Sequence, residues 1–210
     1  MTTIALFGAT GKVGSRVLIR ALAAGHLVQV LVRDPGRLTI TSPALSVIRG
    51  DVLDAGAVDR TVAGTDAVLS LFGQVEGSPN TLQTEGTRLI VEAMKRYGVT
   101  RIVSLSGGAL SAPADRPRFA DRVIRHLLKA VSPHVLTDAE GHLAVLEQSG
   151  LDWTVVRAPR LQDKRGTGSY RVGWAGVNAS TRISRDDLAD FILTQVDDRT
   201  FLFQMPFVSE

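Results

Sequence analysis

Three glycines, Gly8, Gly11 and Gly14, stand three residues apart in the stretch Gly8-Ala9-Thr10-Gly11-Lys12-Val13-Gly14. They follow the continuous apolar run Thr3 to Phe7 and precede a stretch in which Val13, Val17, Leu18, Ala21 and Leu22 share one helical face. A glycine turn leading from a buried strand into a helix exposes backbone N–H groups at the positive end of the helix dipole, where a phosphate is favoured. The spacing departs from the usual dinucleotide fingerprint, whose first two glycines are two apart. A nucleoside-triphosphate P-loop does not fit either, because Val13 follows Lys12 where Ser or Thr is required and Leu6 occupies the earlier glycine position. The chemistry on offer is phosphate binding without phosphoryl transfer.

A second charged group closes the next apolar run, Leu27 to Val32, as Arg33-Asp34-Pro35-Gly36-Arg37. An acid at such a strand end commonly holds a ribose 2′-hydroxyl, while arginine accommodates a 2′-phosphate. Arg33 and Arg37, four residues apart across a Pro-Gly turn, offer two guanidinium groups to a doubly charged phosphate, and Asp34 keeps the 2′-hydroxyl reading open. Asp51, between Gly50 and Val52, reads on its own as a turn former. Ser106 ends the apolar run that starts at Arg101 and precedes Gly107-Gly108, so it either bonds a ligand at a strand end or begins a turn. Tyr97 is followed four residues on by Arg101 and Tyr170 by Trp174, so no Tyr-x-x-x-Lys proton relay is present. The four histidines form no H-E-x-x-H pattern and no G-x-S-x-G occurs, which argues against a metal site and a serine hydrolase.

Positioning these residues requires a repeated unit of apolar strand, turn, 3.6-periodic helix and glycine. Strands are expected at Thr3 to Phe7, Leu27 to Val32, Leu45 to Ile48, Asp66 to Leu71, Arg101 to Leu105 and Trp153 to Val156. Helices are expected after Val13 and over Asp54 to Val62, Thr81 to Tyr97 and Ala139 to Gln148. Strands that are apolar throughout are those covered on both faces, so the fold class is α/β: a doubly wound parallel sheet, Rossmann-like, in a single domain over residues 1–210. Beyond Pro159 the pattern loosens. Gly166 to Trp174 reads as a loop or hairpin, Ser184 with Asp187 as the start of a helix from Arg185 to Val196, and Phe201-Leu202-Phe203 as a short strand.

Composition agrees. A chain of 210 residues, 44% hydrophobic and without cysteine, builds its core without disulfides or thiolate metal sites. The net charge of +3 rests on 24 basic residues of which only Lys12, Lys95, Lys129 and Lys164 are lysine. Arginine suits bidentate phosphate recognition, so a phosphorylated small ligand is expected rather than nucleic acid. No apolar run has the length of a membrane span, and Ile4 to Ala9 is too short for a signal segment; a cytoplasmic, non-membrane protein, monomer or homodimer, is expected.

The stretches Gly8 to Gly14, Leu31-Val32-Arg33-Asp34 and Gly50-Asp51-Val52 resemble the atypical short-chain dehydrogenase/reductases with NAD(P)-binding, NmrA-like domains. Within that group the chain is most similar to the flavin reductase/biliverdin-IXβ reductase family, through Phe7 to Gly14, Val30 to Leu38, Gly50 to Ala67, Glu85 to Val99 and Ile183 to Leu188. The resemblance implies NADPH as cofactor, with NADH possible. It implies that Gly8, Thr10, Gly11, Lys12, Val13 and Gly14 form the pyrophosphate loop and that Arg33 and Arg37 meet the 2′-phosphate. Asp51 and Val52 would receive the adenine, Leu71, Phe72 and Gly73 would pass the nicotinamide ribose, and Ser106 and Pro159 would lie at the nicotinamide end. Two departures stand out: the family's Thr-Ser pair is Ser106-Gly107 here, and its Pro-Pro-His is Ala158-Pro159-Arg160.

Ser106 and Arg160 are therefore the catalytic candidates, Ser106 to position reactants and Arg160 to stabilise developing negative charge. The expected activity is hydride transfer from NADPH to a flat conjugated acceptor such as a flavin, quinone or tetrapyrrole; the rival is a non-catalytic NADP(H) sensor of the NmrA-like type. The missing Tyr–Lys pair argues against a nucleotide-sugar epimerase or dehydratase. Residues 107–136 and 158–182 are expected to supply the acceptor region, with Phe72, Tyr170 and Trp174 as walls for a planar ring. Arg118, Arg122, Arg125 and Lys129 form a basic helical face, read as solvated, as a lid, as an acidic partner's site or as a regulator's nucleic-acid contact, the last without aromatic residues on that face to stack on bases.

Overall fold

The computed structural model describes residues 1–117 and 133–210. Strand β1 (Thr3–Phe7) shows how an unbroken apolar run is used: Ile4 and Leu6 enter one hydrophobic cluster, Ala5 and Phe7 the other. Successive strand side chains point to opposite faces, so such a run needs cover on both. Helices α1 (Gly14–Ala23) and α5 (Arg185–Thr194) cover the first face; α2 (Ala55–Val62), α3 (Leu82–Tyr97) and α4 (Pro133–Glu147) cover the second.

The remaining strands of the main sheet are β2 (Leu27–Val32), β3 (Leu45–Arg49), β4 (Ala67–Ser70), β5 (Arg101–Gly107), β6 (Asp152–Ala158), β8 (Arg171–Gly173) and β10 (Phe207–Ser209). Their order is β3-β2-β1-β4-β5-β6-β10-β8, parallel except for the β10–β8 edge, while β7 (Arg160–Gln162) and β9 (Arg182–Ser184) make a separate parallel pair. The chain leaves β1 in one direction and β4 in the other. That switch point opens a crevice at the carboxyl ends of the strands, the ligand position of open α/β sheets.

Helix ends follow local chemistry. Asp54 caps α2 by accepting from the amides of Gly56 and Ala57 at 2.9 and 3.2 Å, and Ser184 caps α5 by accepting from Asp187 N at 2.9 Å. The start of α3 is capped from elsewhere: buried Asp138 of α4 accepts from the amides of Gln83 and Thr84, both at 2.9 Å. Among the described residues α4 is already helical at Pro133, ahead of the expected Ala139. Its first turns bury a carboxylate, which hydrophobic periodicity does not register.

Two expectations need correction. Phe201-Leu202-Phe203 is a turn, with Phe203 at φ 57°, and the terminal strand is Phe207–Ser209 beside β6. Phe201 instead packs its ring 6.0 Å from that of Phe191, so its apolarity serves the α5 core. Residues 171–173 do form a strand, but its partner is β10 rather than a local hairpin arm. The basic face at Arg118, Arg122, Arg125 and Lys129 lies outside the described residues. No helix among the described residues is long and apolar enough to cross a membrane.

Candidate functional site

The glycine loop turns as tightly as it does because two positions have no room for a side chain. Gly8 has φ 87°, and a Cβ there would lie 2.7 Å from the Leu71 carbonyl and the Phe72 amide; a Cβ on Gly14 would lie 2.1 Å from Gly8 O. Gly11 donates its amide to Gly8 O at 3.0 Å, closing the turn. The loop after β1 thus rests on the loop after β4, on the two sides of the crevice. Val13, which precedes α1, gives no side-chain hydrogen bond and the first turn carries no acid, so the helix presents its positive end uncapped. Lys12 leans away toward Asp163 (3.5 Å), which Arg16 and Arg185 also approach, at 3.4 and 2.8 Å. This cluster ties the segment that follows β7 to the glycine loop.

Beside the loop runs a groove of about 540 Å³, lined among others by Gly8, Thr10, Arg33, Asp51, Val52, Phe72 and Gly73. At its mouth Arg33 Nε stands 4.0 Å from Asp51 Oδ2, while Asp51 Oδ1 accepts from Leu53 N at 2.9 Å. Asp51 is therefore both the turn former and a groove wall, one oxygen for each task. Phe72 is seated against α3, where a Cβ on Gly86 would lie 2.8 Å from its ring. A second hollow of about 410 Å³ contains Thr10, Ser15, Arg37 and Leu38. Thr10 lines both, so the two arginines occupy adjoining hollows on either side of it. Asp34 lines neither; it accepts from Gly36 N at 3.0 Å and caps the short turn Pro35–Arg37. Gly11, Lys12, Val13, Gly14 and Leu71 also stay outside both linings and build the loop behind them.

At the other end of the crevice, Ser106 is 5% exposed and its Oγ is buried with no hydrogen-bond partner among the described residues. Seven other buried side-chain atoms of the described residues, among them Thr87 Oγ1 and His142 Nδ1, are likewise without a partner, and what sets Ser106 apart is its place near the carboxyl end of β5. Pro159 carries the chain from β6 to β7. Arg160 is exposed and paired in register with Arg182 of β9, in the small sheet, and is not brought against Ser106 by strand pairing. The register partner of Ser106 is Arg157, which is fully buried. Arg157 donates to both oxygens of Asp115 at 2.8 Å, to Leu110 O at 2.7 Å and to Met205 O at 2.9 Å. Burial alone would raise the Asp115 carboxyl, but hydrogen bonds from Arg157 and from the amides of Ala112 and Ala175 bring it below its ordinary value. Sequence reasoning passed over this pair; its signal was a lone cation inside the apolar run Trp153 to Ala158.

The proposed aromatic walls separate. Phe72 lines the groove, Trp174 packs against the core on the α2–α4 face, and Tyr170 belongs to the α1–α5 face with its ring 5.8 Å from that of Phe191. Deeper in the sheet, Ser104 Oγ lies 2.7 Å from His142 Nε2, with both residues buried. Burial lowers the His142 imidazole to about 4. This is a core hydrogen bond: Asp138 spends its carboxylate on α3, so no Ser-His-Asp relay forms. Among the described residues no cluster of three or more His, Cys, Asp or Glu could hold a metal ion.

Comparison with known proteins settles the class of ligand. A family described as NAD(P)H-binding matches residues 8–199, from the first loop glycine into the stretch after α5. The chain belongs to this NAD(P)H-binding family. Its Rossmann fold is shared by a wide-type short-chain dehydrogenase/reductase from Veillonella parvula solved in complex with NADP, with TM-score 0.81, 18% identity, and 100% of this chain and 94% of that one covered. It is also shared by ChuY, an anaerobillin reductase from Escherichia coli O157:H7, with TM-score 0.79, 22% identity, and coverage of 100% and 97%. Among relatives by sequence, the (4-alkanoyl-5-oxo-2,5-dihydrofuran-3-yl)methyl phosphate reductase of Streptomyces griseus is 31% identical over 196 residues, 93% of this chain. The chain spans 59% of that relative's length. The resemblance stated from the glycine loop is thus upheld, as is the NAD(P)H class of cofactor. An uncapped helix end, a groove at the switch point and the unsatisfied Ser106 hydroxyl all fit such a dinucleotide.

Proposed function

We propose that the chain is an NADPH-dependent oxidoreductase that reduces a flat conjugated acceptor such as a flavin, a quinone or a tetrapyrrole. The observation that carries the cofactor half is the groove between the glycine loop and Phe72, with Arg33 at its mouth and Arg37 in the adjoining hollow. The uncapped amides of α1 hold the pyrophosphate, and Arg33 and Arg37 take the 2′-phosphate from either side of Thr10. Asp51 Oδ2 and the Val52 amide receive the adenine, and Leu71, Phe72 and Gly73 run along the nicotinamide ribose. NADPH, when bound, supplies the hydride. Ser106 uses its free hydroxyl to orient the reactants, and exposed Arg160 offers a permanent cation near the acceptor. With no Tyr–Lys pair, water protonates the reduced ring, which suits an acceptor that stays partly exposed. The reductase activity of the Streptomyces relative supports the reaction class.

The test mixes the protein with NADPH and FMN or menadione and follows the reduced-nicotinamide absorbance. Saturable oxidation is expected; tight NADPH binding without turnover of any flavin, quinone or tetrapyrrole would favour the non-catalytic sensor instead. Arg33→Ala separates the cofactors. Losing one charge-assisted contact, worth about 1.5–3 kcal/mol, weakens NADPH by about 10- to 150-fold and leaves NADH nearly unchanged. Equal losses for both cofactors would refute the 2′-phosphate assignment.

A further inference from the structure

Asp115 lies in the loop that leaves β5, at the carboxyl ends of the strands, where open α/β sheets hold their ligands. Its carboxylate gathers three separate segments. It accepts from both terminal nitrogens of Arg157 at the end of β6, from Ala112 N at 2.7 Å within its own loop, and from Ala175 N at 2.9 Å in the turn after β8. Arg116 N then donates to Ala175 O at 2.8 Å, fastening the same two segments a second time. Arg157 holds the other side: besides Asp115 it bonds the carbonyls of Leu110 and Met205, and its guanidinium lies 5.6 Å from the Phe207 ring. The loop is thus drawn back over the end of β6, beside the strand position that carries Ser106.

A buried ion pair is poor at stabilising a fold. Removing two charges from water costs about what their attraction returns, and a well-packed apolar pair of the same volume is often as stable or more so. What an apolar pair lacks is direction: it cannot bond two amides and two carbonyls from different segments. We infer that Asp115, held by Arg157, is a positioning residue that fixes the wall formed by residues 108–117 and the turn 174–177, and so sets affinity for the acceptor without acting on the cofactor. This rests on the reductase reading above.

The test compares wild type with the double variant Asp115→Leu/Arg157→Met, which removes both charges and keeps the volume filled, and with Asp115→Asn, which keeps the shape. Melting temperature reports folding, and either variant that folds serves. NADPH affinity, steady-state kinetics with FMN and menadione, FMN binding to the NADP+-loaded protein, and hydrogen exchange of residues 108–117 and 174–177 are then measured. A positioning role predicts faster exchange in those two segments, an acceptor KM raised about tenfold or more, and NADPH affinity within about twofold of wild type. A folded variant with wild-type acceptor KM and FMN binding overturns the inference alone. If wild type binds NADPH but neither binds nor reduces FMN or menadione, the reductase reading fails and takes this inference with it.

Discussion

The Ser104–His142 contact makes acid stability a quantitative probe of the core. His142 is 1% exposed on α4, with its ring against Ser104 of β5. Desolvation lowers its pKa from 6.5 to about 4, against the opposing pull of the Ala139 carbonyl and of Asp138 one turn earlier. The folded chain therefore keeps this ring neutral where the unfolded chain has already bound a proton. With more protons on the unfolded state, stability rises with pH across the interval from about 4 to 6.5, and is lost as the pH falls through it. At about 1.4 kcal/mol for each tenfold difference in proton affinity, the full loss is about 3 kcal/mol, of which about 2 is gone by pH 5. That is a large share of the roughly 5–15 kcal/mol holding a domain together. The depressed carboxylates Asp115, Asp186 and Asp198 act in a lower window: their contribution is present above 3.8 and is lost only below it. Urea unfolding followed by tryptophan fluorescence at pH 7, 6, 5 and 4.5 measures the slope. His142→Gln, which keeps a hydrogen-bonding group but cannot titrate, should start less stable and flatten between pH 6.5 and 4.5. Parallel profiles for wild type and variant would refute the argument that burial holds this ring neutral.

Three further substitutions test the backbone around the site. Gly8→Ala forces a side chain into a positive-φ position 2.7 Å from backbone atoms, so urea unfolding should show a loss of about 2–4 kcal/mol, accompanied by lost NADPH binding, whereas Gly11→Ala, whose nearest contact is Gly8 O at 3.2 Å, should cost about 1 kcal/mol or less; equal effects would contradict the described turn. Gly107→Ser introduces a hydroxyl where a Cβ meets nothing within 4 Å, so the variant should melt within a few degrees of wild type while restoring the second hydroxyl of the resembled family, and a rise in tetrapyrrole turnover is the expected kinetic result.

The doubly wound sheet was legible because its signals are local. A largely apolar run, a glycine after three of the helices (Gly25, Gly98 and Gly150) and a capping serine all act within a few residues, and Leu27–Val32 and Ser184 stand where that reading placed them. The glycine loop was legible too, since its position after the first strand already implies an exposed helix N-terminus. Asp51 shows the limit of such reading: turn former or ligand were alternatives in sequence, and in the fold Oδ1 accepts from Leu53 N while Oδ2 stands 4.0 Å from Arg33 Nε in a residue that lines the groove.

What tertiary structure decided depends on which strands become neighbours. Arg160, exposed beyond Pro159, belongs to the small β7–β9 sheet, while Arg157, three residues earlier, stays in the main sheet beside Ser106. The partner of Arg157 lies 42 residues away in a loop, and no periodicity connects them. Arg33 and Arg37, on either side of the turn that starts at Pro35, line adjoining hollows that share Thr10, an arrangement their spacing in sequence does not specify. Sequence by itself settles the strands from β1 to β6 and that a glycine turn lies between the first strand and the first helix, since those follow from backbone preferences and burial pattern. Only the packed sheet settles which charges are buried, paired or free, because the cost of a buried charge depends on neighbours that the chain brings together from afar.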